Sequence, residues 1–229
     1  MIMAAHQPQY HPYLGYFHKI AAADVFIWLD DVQHKKREFQ NRNRIRTPKG
    51  WMWLTVPVVT KGRYRQAIKD VEIDNSANWA HDHWESLRLN YAKAPQFARH
   101  APFFEKLYTR RWDRLEPLCR ELVDYLCAAF GIKVPFRTAS EFAVNTTATR
   151  RLIDLSIAAG ADAYLSGAGG KAYLEEELFA QQGRKLIYQQ FTHPEYAQVF
   201  PGFEPNMSAV DFLFNAEPDA AADLFKKSN

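Results

Sequence analysis

The chain has 229 residues, of which 47% are hydrophobic and 24% charged, and its formal net charge is +3. This supply of apolar residues suits one large domain, so we expect a single domain over residues 1–229. No apolar run approaches the ~18 residues of a membrane span, and no signal-peptide pattern opens the chain, which together predict a cytoplasmic protein without a membrane span.

The positive charge is concentrated between Lys35 and Lys49, where seven Lys or Arg residues accompany one acid, Glu38. This stretch carries 7 − 1 = +6, so the remainder of the chain sums to 3 − 6 = −3. A local basic patch on a mildly acidic body favours a small anionic ligand, because long nucleic acid needs a wider basic surface.

The first thirty residues predict a strand, a helix and a second strand. Residues 2–5 and 25–29 are apolar runs, and a helix is expected from residue 13 to residue 23, after two prolines that forbid an earlier start. Two strands joined by a helix form a parallel pair, so His6 and Asp30 are expected at the same edge of the sheet. Ligands bind at this carboxyl edge in open α/β sheets.

The remaining chain continues the alternation on either side of a helical stretch. Residues 39–45 and 51–58 predict a hairpin, residues 67–73 a short strand, and residues 75–130 a mostly helical insertion whose longest helix spans 115–130. Further strands and helices are expected at 134–140, 145–159, 161–165, 172–182 and 185–191. We therefore predict an α/β fold with a largely parallel open sheet flanked by helices.

A glycine-rich turn follows the predicted strand at residues 161–165. It consists of Ser166, Gly167, Ala168, Gly169, Gly170 and Lys171, with Tyr173 shortly after. Glycines let a backbone approach a ligand closely, and a helix that begins near Lys171 would offer free N–H groups to an anion. We predict that Ser166, Gly167, Gly169, Gly170, Lys171 and Tyr173 bind substrate. The alternative is a tight turn with no ligand.

Polar residues at the first two strand ends complete the predicted site. His6 and Asp30 are the candidate catalytic residues, since both directly follow apolar runs. His6 would act as acid or base, and Asp30 would orient it or hold a substrate hydroxyl. Gln7 and Tyr10 are candidate substrate contacts. The alternative for His6 is a structural residue with satisfied hydrogen bonds.

Asn41 and Arg42 are candidate substrate contacts on the predicted hairpin. Arginine presents a planar fork that matches phosphate or carboxylate. Side chains alternate along a strand, so Asn41 and Arg42 would face opposite sides and only one set would meet the ligand. A charged edge strand that resists aggregation is the alternative.

The sequence indicates no metal site and identifies no cofactor. His81 and His83 point to different faces of a predicted helix, and no Cys-rich or HExxH pattern is present.

Several separated motifs resemble the WbqC-like family of bacterial proteins. They are HQPQYHPYLGYFHKI, ADVFIWLDDVQ, FQNRNRI and YLSGAGGKAYL, followed by the segment 191–211. The resemblance spans roughly residues 3–214, with a looser match over 63–133. It implies a bacterial protein tied to the synthesis of surface polysaccharide, especially the O-antigen.

We therefore expect a transferase that acts on a nucleotide-linked or phosphorylated sugar. A non-catalytic ligand-binding or scaffold protein of the same pathway is the main alternative, and nucleic-acid binding through the basic stretch is less favoured. The opening unit also resembles a nucleotidyltransferase with its HxGH motif. Tyr13 and Gly15 fall near that motif, but the paired histidines are missing, which disfavours adenylyl transfer. The oligomeric state is left open.

Overall fold

The protein is built around a five-stranded parallel sheet with strand order β5-β2-β1-β6-β7 and a separate two-stranded hairpin. The computed structural model describes residues 1–226. The strands are Ile2–His6 (β1), Val25–Trp28 (β2), Arg42–Thr47 (β3), Gly50–Thr55 (β4), Phe136–Thr138 (β5), Ala163–Ser166 (β6) and Lys185–Tyr188 (β7). All four neighbouring pairs of the larger sheet are parallel. The predicted α/β fold with a largely parallel sheet flanked by helices is confirmed.

Eight α-helices accompany these strands in the described part of the chain. They are Leu14–Ala21 (α1), Trp79–Tyr91 (α2), Phe97–Thr109 (α3), Leu115–Ala129 (α4), Ala148–Ala158 (α5), Glu176–Gln181 (α6), Ala209–Asn215 (α7) and Pro218–Leu224 (α8). Within residues 1–226, none of them combines the length and the apolar character needed to cross a membrane.

The sheet is buried on both faces, as its continuous apolar strands require. Successive residues of a strand alternate between the faces, so Ala4 and Phe26 join one hydrophobic cluster while Ala5 and Ile27 join another. The larger cluster receives α1, α4 and α7, and the smaller receives α5 and α6. The register pairs Ala4 with Phe26 and Ala5 with Ile27, which keeps like-facing residues side by side.

Helices α2, α3 and α4 follow one another between β4 and β5, in the span predicted to be helical. They pack into the larger cluster through apolar residues that include Leu87, Phe104 and Leu122, all fully buried. The description of this span as an insertion into a single domain stays a prediction.

Strands β3 and β4 form the predicted antiparallel hairpin, with Thr47 paired to Gly50 around the turn. The alternation predicted for β3 also holds, since Asn43 and Ile45 are buried while Arg42 and Arg44 are partly exposed. Arg46 departs from it: the side chain is buried and its guanidinium donates to the carbonyls of Thr47, Gly50 and Pro201.

Two local predictions are wrong. The segment 67–73 is not a strand but a short 3-10 helix, Ile68–Asp70, with only isolated bridges at its ends. The predicted helix 172–182 is also replaced, by a 3-10 helix Ala168–Ala172 and the later helix α6. The reason is tertiary: Leu174 is buried against the sheet, and Glu175 N donates to Thr149 Oγ1 at 3.3 Å, so the chain leaves its helical path between the two helices.

The closing segment is fixed by one buried carboxylate. Asp211 accepts hydrogen bonds from the hydroxyls of Tyr91 and Tyr196, each at 2.7 Å, and from Gln198 Nε2 at 2.8 Å. Ser208 caps α7 by accepting from Val210 N. These contacts tie the irregular residues 189–207 to the rest of the protein, next to the carboxyl edge of the sheet.

Candidate functional site

A cleft of about 560 Å³ lies at the carboxyl edge of the parallel sheet. The ends of β1 and β6, the start of α1 and the segment after β7 enclose it. Its lining residues are Ala5, His6, Gln7, Tyr13, Lys19, Leu29, Leu152, Tyr164, Ser166, Gly167, Ala168, Gly169, Gly170, Tyr173, Gln189, Phe191, His193 and Asn206. The volume is within the range of ~300–1,000 Å³ that small-molecule sites occupy.

His6 stands at the end of β1 with a defined tautomer. Its Nδ1 lies 3.1 Å from the carbonyl oxygen of Gln7. A carbonyl only accepts, so Nδ1 carries the hydrogen and Nε2 keeps a free lone pair. Burial, and secondarily the charge of Lys19, lower the pKa of His6 to about 3. The imidazole is therefore neutral near neutral pH with Nε2 unprotonated, and a pKa this low makes it a weak base in the free protein.

Lys19 is a candidate functional residue that sequence reasoning missed. Its side chain is only 4% exposed, yet it lines the cleft, and Nζ donates to the carbonyl of Ala5 at 3.1 Å. Burial lowers the pKa of Lys19 to about 7. An amine with this pKa exchanges protons readily at physiological pH, and a near-neutral pKa is common among catalytic lysines.

The sequence held a signal for Lys19 that helical periodicity would have shown. Helix α1 is apolar around most of its circumference, and every residue except His18 is buried. A lysine in such a helix has no solvent-facing side to occupy, so its amine must reach a polar partner inside the protein. The β1 carbonyl and the cleft supply that environment.

The glycine-rich turn closes one wall of the cleft. Ser166 is buried, and its hydroxyl donates to the carbonyl of Gly167 at 3.0 Å. Gly170 packs so closely on this serine that an added Cβ would collide with Ser166 Oγ. Only glycine fits there, and the close approach places the turn's backbone beside the serine hydroxyl at the cleft wall.

Aromatic residues form the opposite rim. The ring of Tyr13 lies over the start of α1, where an added Cβ on Gly15 would come within 2.5 Å of it, and it contacts Phe191 edge-on at 6.3 Å between centroids. His193 donates from Nδ1 to the carbonyl of Pro194 at 2.8 Å. Its Nε2 is buried and has no hydrogen-bond partner within residues 1–226. This rim offers apolar faces together with one free acceptor.

Gln189 connects the two walls. Its side chain is buried, and Nε2 donates to the carbonyl of Gly15 at 2.8 Å while its backbone N donates to Ser166 O at 2.8 Å. The amide therefore fixes the start of α1 relative to the end of β6. The cleft is thus pre-formed by hydrogen bonds across three elements.

Seven of the site residues predicted from the sequence line the cleft, and the remaining predicted site residues lie outside it. The seven in the cleft are His6, Gln7, Ser166, Gly167, Gly169, Gly170 and Tyr173. Lys171 does not line the cleft; it lies within the 3-10 helix, with Nζ 5.3 Å from the centre of the Tyr188 ring. The expected position of Lys171 at the start of an α-helix is therefore wrong.

Asp30 does not share the cleft with His6 and Ser166. It is buried, and its two oxygens accept hydrogen bonds from the backbone N of Ser140 at 3.0 Å and from its hydroxyl at 2.7 Å. Both strands end at the same edge, but the chain after β5 crosses there and engages the carboxylate. Asp30 therefore ties β2 to the segment after β5.

Tyr10 and Asn41 are also buried away from the cleft. The Tyr10 hydroxyl lies 2.8 Å from His83 Nδ1 and 2.6 Å from the Tyr108 hydroxyl. Asn41 Nδ2 donates to the carbonyl of Val56 at 2.8 Å. Both residues use their polar atoms to hold the loop before α1 and the hairpin in place.

Arg42 projects from the outer face of the hairpin. Its guanidinium carbon lies 4.3 Å from the centre of the Trp53 ring, and Nη2 donates to the carbonyl of Arg37. Arg42 is not among the residues that line the cleft. Across residues 1–226, no group of three or more His, Cys, Asp or Glu side chains is arranged to hold a metal ion.

The cleft brings together three groups that can exchange protons or form hydrogen bonds. Lys19 supplies a buried amine, His6 a neutral acceptor, and Ser166 a hydroxyl, all in one cleft. A bound phosphate would raise the pKa of Lys19 and of His6, because nearby negative charge stabilises their protonated forms.

Comparison with known proteins places the chain in a family. The chain is 36% identical over 216 residues to the uncharacterized protein Rv1507c of Mycobacterium tuberculosis, which covers 93% of each chain. No solved structure matches it. The model of the WbqC-like protein family matches residues 7–223, nearly the whole length. The chain belongs to the WbqC-like protein family.

Proposed function

We propose that this protein is an enzyme that transfers a group to or from a phosphorylated or nucleotide-linked sugar, bound in the cleft at the carboxyl edge of the sheet. The supporting observation is the placement of Lys19 and His6 in the same cleft, with the amine buried and the imidazole neutral. The resemblance noted in the sequence suggests surface polysaccharide, especially the O-antigen, as the pathway. The cytoplasm is the proposed compartment, as expected from the sequence.

Lys19 would bind the phosphate of the donor. A buried amine that makes one hydrogen bond, to Ala5 O, retains two further N–H groups for phosphate oxygens. Bound phosphate would keep Lys19 protonated. The free-energy cost of burying the charged amine is then offset by its attraction to the phosphate, which is present only in the complex. Charge-assisted bonds of this kind are about twice as strong as neutral ones.

His6 would act on the acceptor. Its free Nε2 takes the proton from the acceptor's hydroxyl or amino group while that atom attacks the transferred group. The bond to the donor phosphate breaks, the electron pair leaves with the phosphate oxygen, and Lys19 stabilises the resulting charge. The bound phosphate raises the pKa of His6, so the base strengthens only after the donor is in place.

The rim suits a sugar or a base. Tyr13 and Phe191 present ring faces or edges, and the unpartnered Nε2 of His193 accepts a hydrogen bond from a hydroxyl or N–H group.

A non-catalytic binding or scaffold protein of the same pathway is the alternative. It would use the same cleft but leave the ligand unchanged.

The proposal is tested by binding and turnover with a panel of nucleotide sugars and sugar phosphates. Thermal shift identifies the ligand, because binding to the folded state raises the melting temperature. Phosphorus NMR of the mixture, with candidate acceptor sugars, then follows release of the phosphate-containing product. Lys19→Met should abolish binding, whereas Lys185→Met, at an exposed position where β7 begins on the opposite edge, should not.

His6→Asn separates the two roles. Its side-chain amide can still donate to Gln7 O but lacks the Nε2 base. We expect affinity within about threefold of the wild type and a turnover lower by about 100-fold or more. Unchanged turnover would refute the catalytic role of His6, and binding without turnover in the wild type would favour the non-catalytic alternative.

A further inference from the structure

A second basic surface forms where two loops meet outside the cleft. Residues 33–37 and 60–66 lie side by side because Gln33 Nε2 donates to Tyr64 O at 2.9 Å and His34 N donates to Gln66 O at 3.0 Å. A β-bridge between Gln33 and Ala67 continues the pairing. The two loops therefore form one surface, although about thirty residues of chain separate them.

The two paired loops carry six basic side chains and no acidic one. They are Lys35, Lys36, Arg37, Lys61, Arg63 and Arg65. Arg63 is paired with Glu72 at 2.7 Å, outside the loops. Hydrogen bonds between the two loops thus gather a local excess of exposed positive charge, which favours an anionic ligand.

Between the loops is a pocket of about 360 Å³ with unused polar atoms. Its lining includes His34, Lys35, Lys36, Arg63, Tyr64 and Gln66. His34 is only 6% exposed, and its buried Nε2 has no partner among residues 1–226. The buried Gln66 Oε1 is also without a partner there, while its Nε2 donates to Val59 O. Buried polar atoms normally have partners, so these two atoms are left for a partner that the described residues do not supply.

We propose that this pocket binds a phosphorylated compound of about the size of a mononucleotide, at a site separate from the cleft. Lys35 and Lys36 bind the phosphate, and Gln66 Oε1, which only accepts, requires an N–H or O–H donor on the same ligand. His34 adds a second polar contact. Tyr64 is 80% exposed and provides a ring on which a base or sugar stacks.

The pocket's dimensions favour a small molecule over a polymer. Its volume is near the lower end of the ~300–1,000 Å³ typical of small-molecule sites. A single strand of nucleic acid would need a groove that tracks several phosphates and bases. The site stands independently of the function proposed for the cleft, because the two share no lining residue.

The test is NMR of the protein with isotope-labelled histidine, with the His34 signal assigned by its loss in His34→Gln. AMP, UMP, glucose 1-phosphate and inorganic phosphate are titrated at constant ionic strength. We expect the His34 ring signals to shift and saturate with a mononucleotide or sugar phosphate. The His6 signal reports the cleft in the same spectra, so a response of His6 alone refutes the second site while supporting ligand binding in the cleft.

A matched pair of double variants identifies the anion contact. The first double variant, Lys35→Ala with Lys36→Ala, should lower the affinity reported by the His34 signal by about tenfold or more. The control double variant removes two exposed lysines elsewhere, Lys93→Ala with Lys185→Ala, and should leave that affinity unchanged. Equal loss in both double variants would indicate a net-charge effect and refute the site. Three other results would also overturn the proposal: no saturable shift, the same shift with chloride, or tighter binding of a single-stranded oligonucleotide than of every small phosphate.

Discussion

Replacing Lys19 by methionine is expected to stabilise the protein while removing ligand binding. Lys19 is 4% exposed, and burial lowers its pKa from 10.5 to about 7. At about pH 7 this shift corresponds to ~4 kcal/mol of destabilisation, because the unfolded chain binds the proton more tightly than the folded one. Losing the bond to Ala5 O costs ~1 kcal/mol, so a net gain of up to ~3 kcal/mol is expected.

The pH dependence distinguishes this cause from simple repacking. The folded pKa lies below the unfolded pKa, so the wild type gains stability as the pH rises from about 7 towards 10.5. At about pH 9.5 the penalty is only ~1.5 kcal/mol, and the advantage of the methionine variant should shrink accordingly. Lys185→Met, at an exposed site, should show neither effect.

The measurement is urea unfolding of the three proteins at both pH values, with the midpoint and slope fitted separately. A methionine variant that is less stable than the wild type at both pH values would refute the reasoning, since Lys19 would then be a stabilising residue. The reasoning would also be refuted if the methionine variant exceeded the wild type in stability by the same amount at both pH values. A stabilised variant that has lost ligand binding would show the trade-off typical of functional sites.

Three further outcomes are expected from the buried polar groups. Burial lowers the pKa of His11 to about 3 and the pKa of His83 to about 4. The protein should therefore lose stability as the pH falls below about 6.5, because the unfolded chain then binds protons that the folded one does not. Urea unfolding at about pH 5 should show a loss of ~2 kcal/mol for each histidine. Gly170→Ala should displace the Ser166 hydroxyl and destabilise the protein by ~1–3 kcal/mol, and a crystal structure with that hydroxyl unmoved would contradict this. Asp30→Asn should lower the free energy of unfolding by ~1–3 kcal/mol, because the carboxylate accepts two hydrogen bonds inside the protein; an unchanged midpoint would disprove it.

The local order of elements was readable from the sequence because it depends on short-range patterns. The apolar runs that became β1 and β2, with a helix between them, required a parallel pair. The hairpin turn near residues 48–50 and the long helix α4 followed from turn residues and from the 3.6-residue period. Strand ends were also placed well enough to bring His6 and Ser166 to one edge.

Only the tertiary structure decided which polar residues reach the cleft. Asp30 follows the end of β2 closely, but Ser140, more than one hundred residues later, donates hydrogen bonds to its carboxylate. The pKa of Lys19 depends on how many apolar groups surround it, and no local pattern reports that number. The basic pocket at His34 is a similar case, because backbone hydrogen bonds between distant loops create it. Sequence thus determined the sheet and its edge, whereas burial and long-range contacts determined the chemistry of the side chains there.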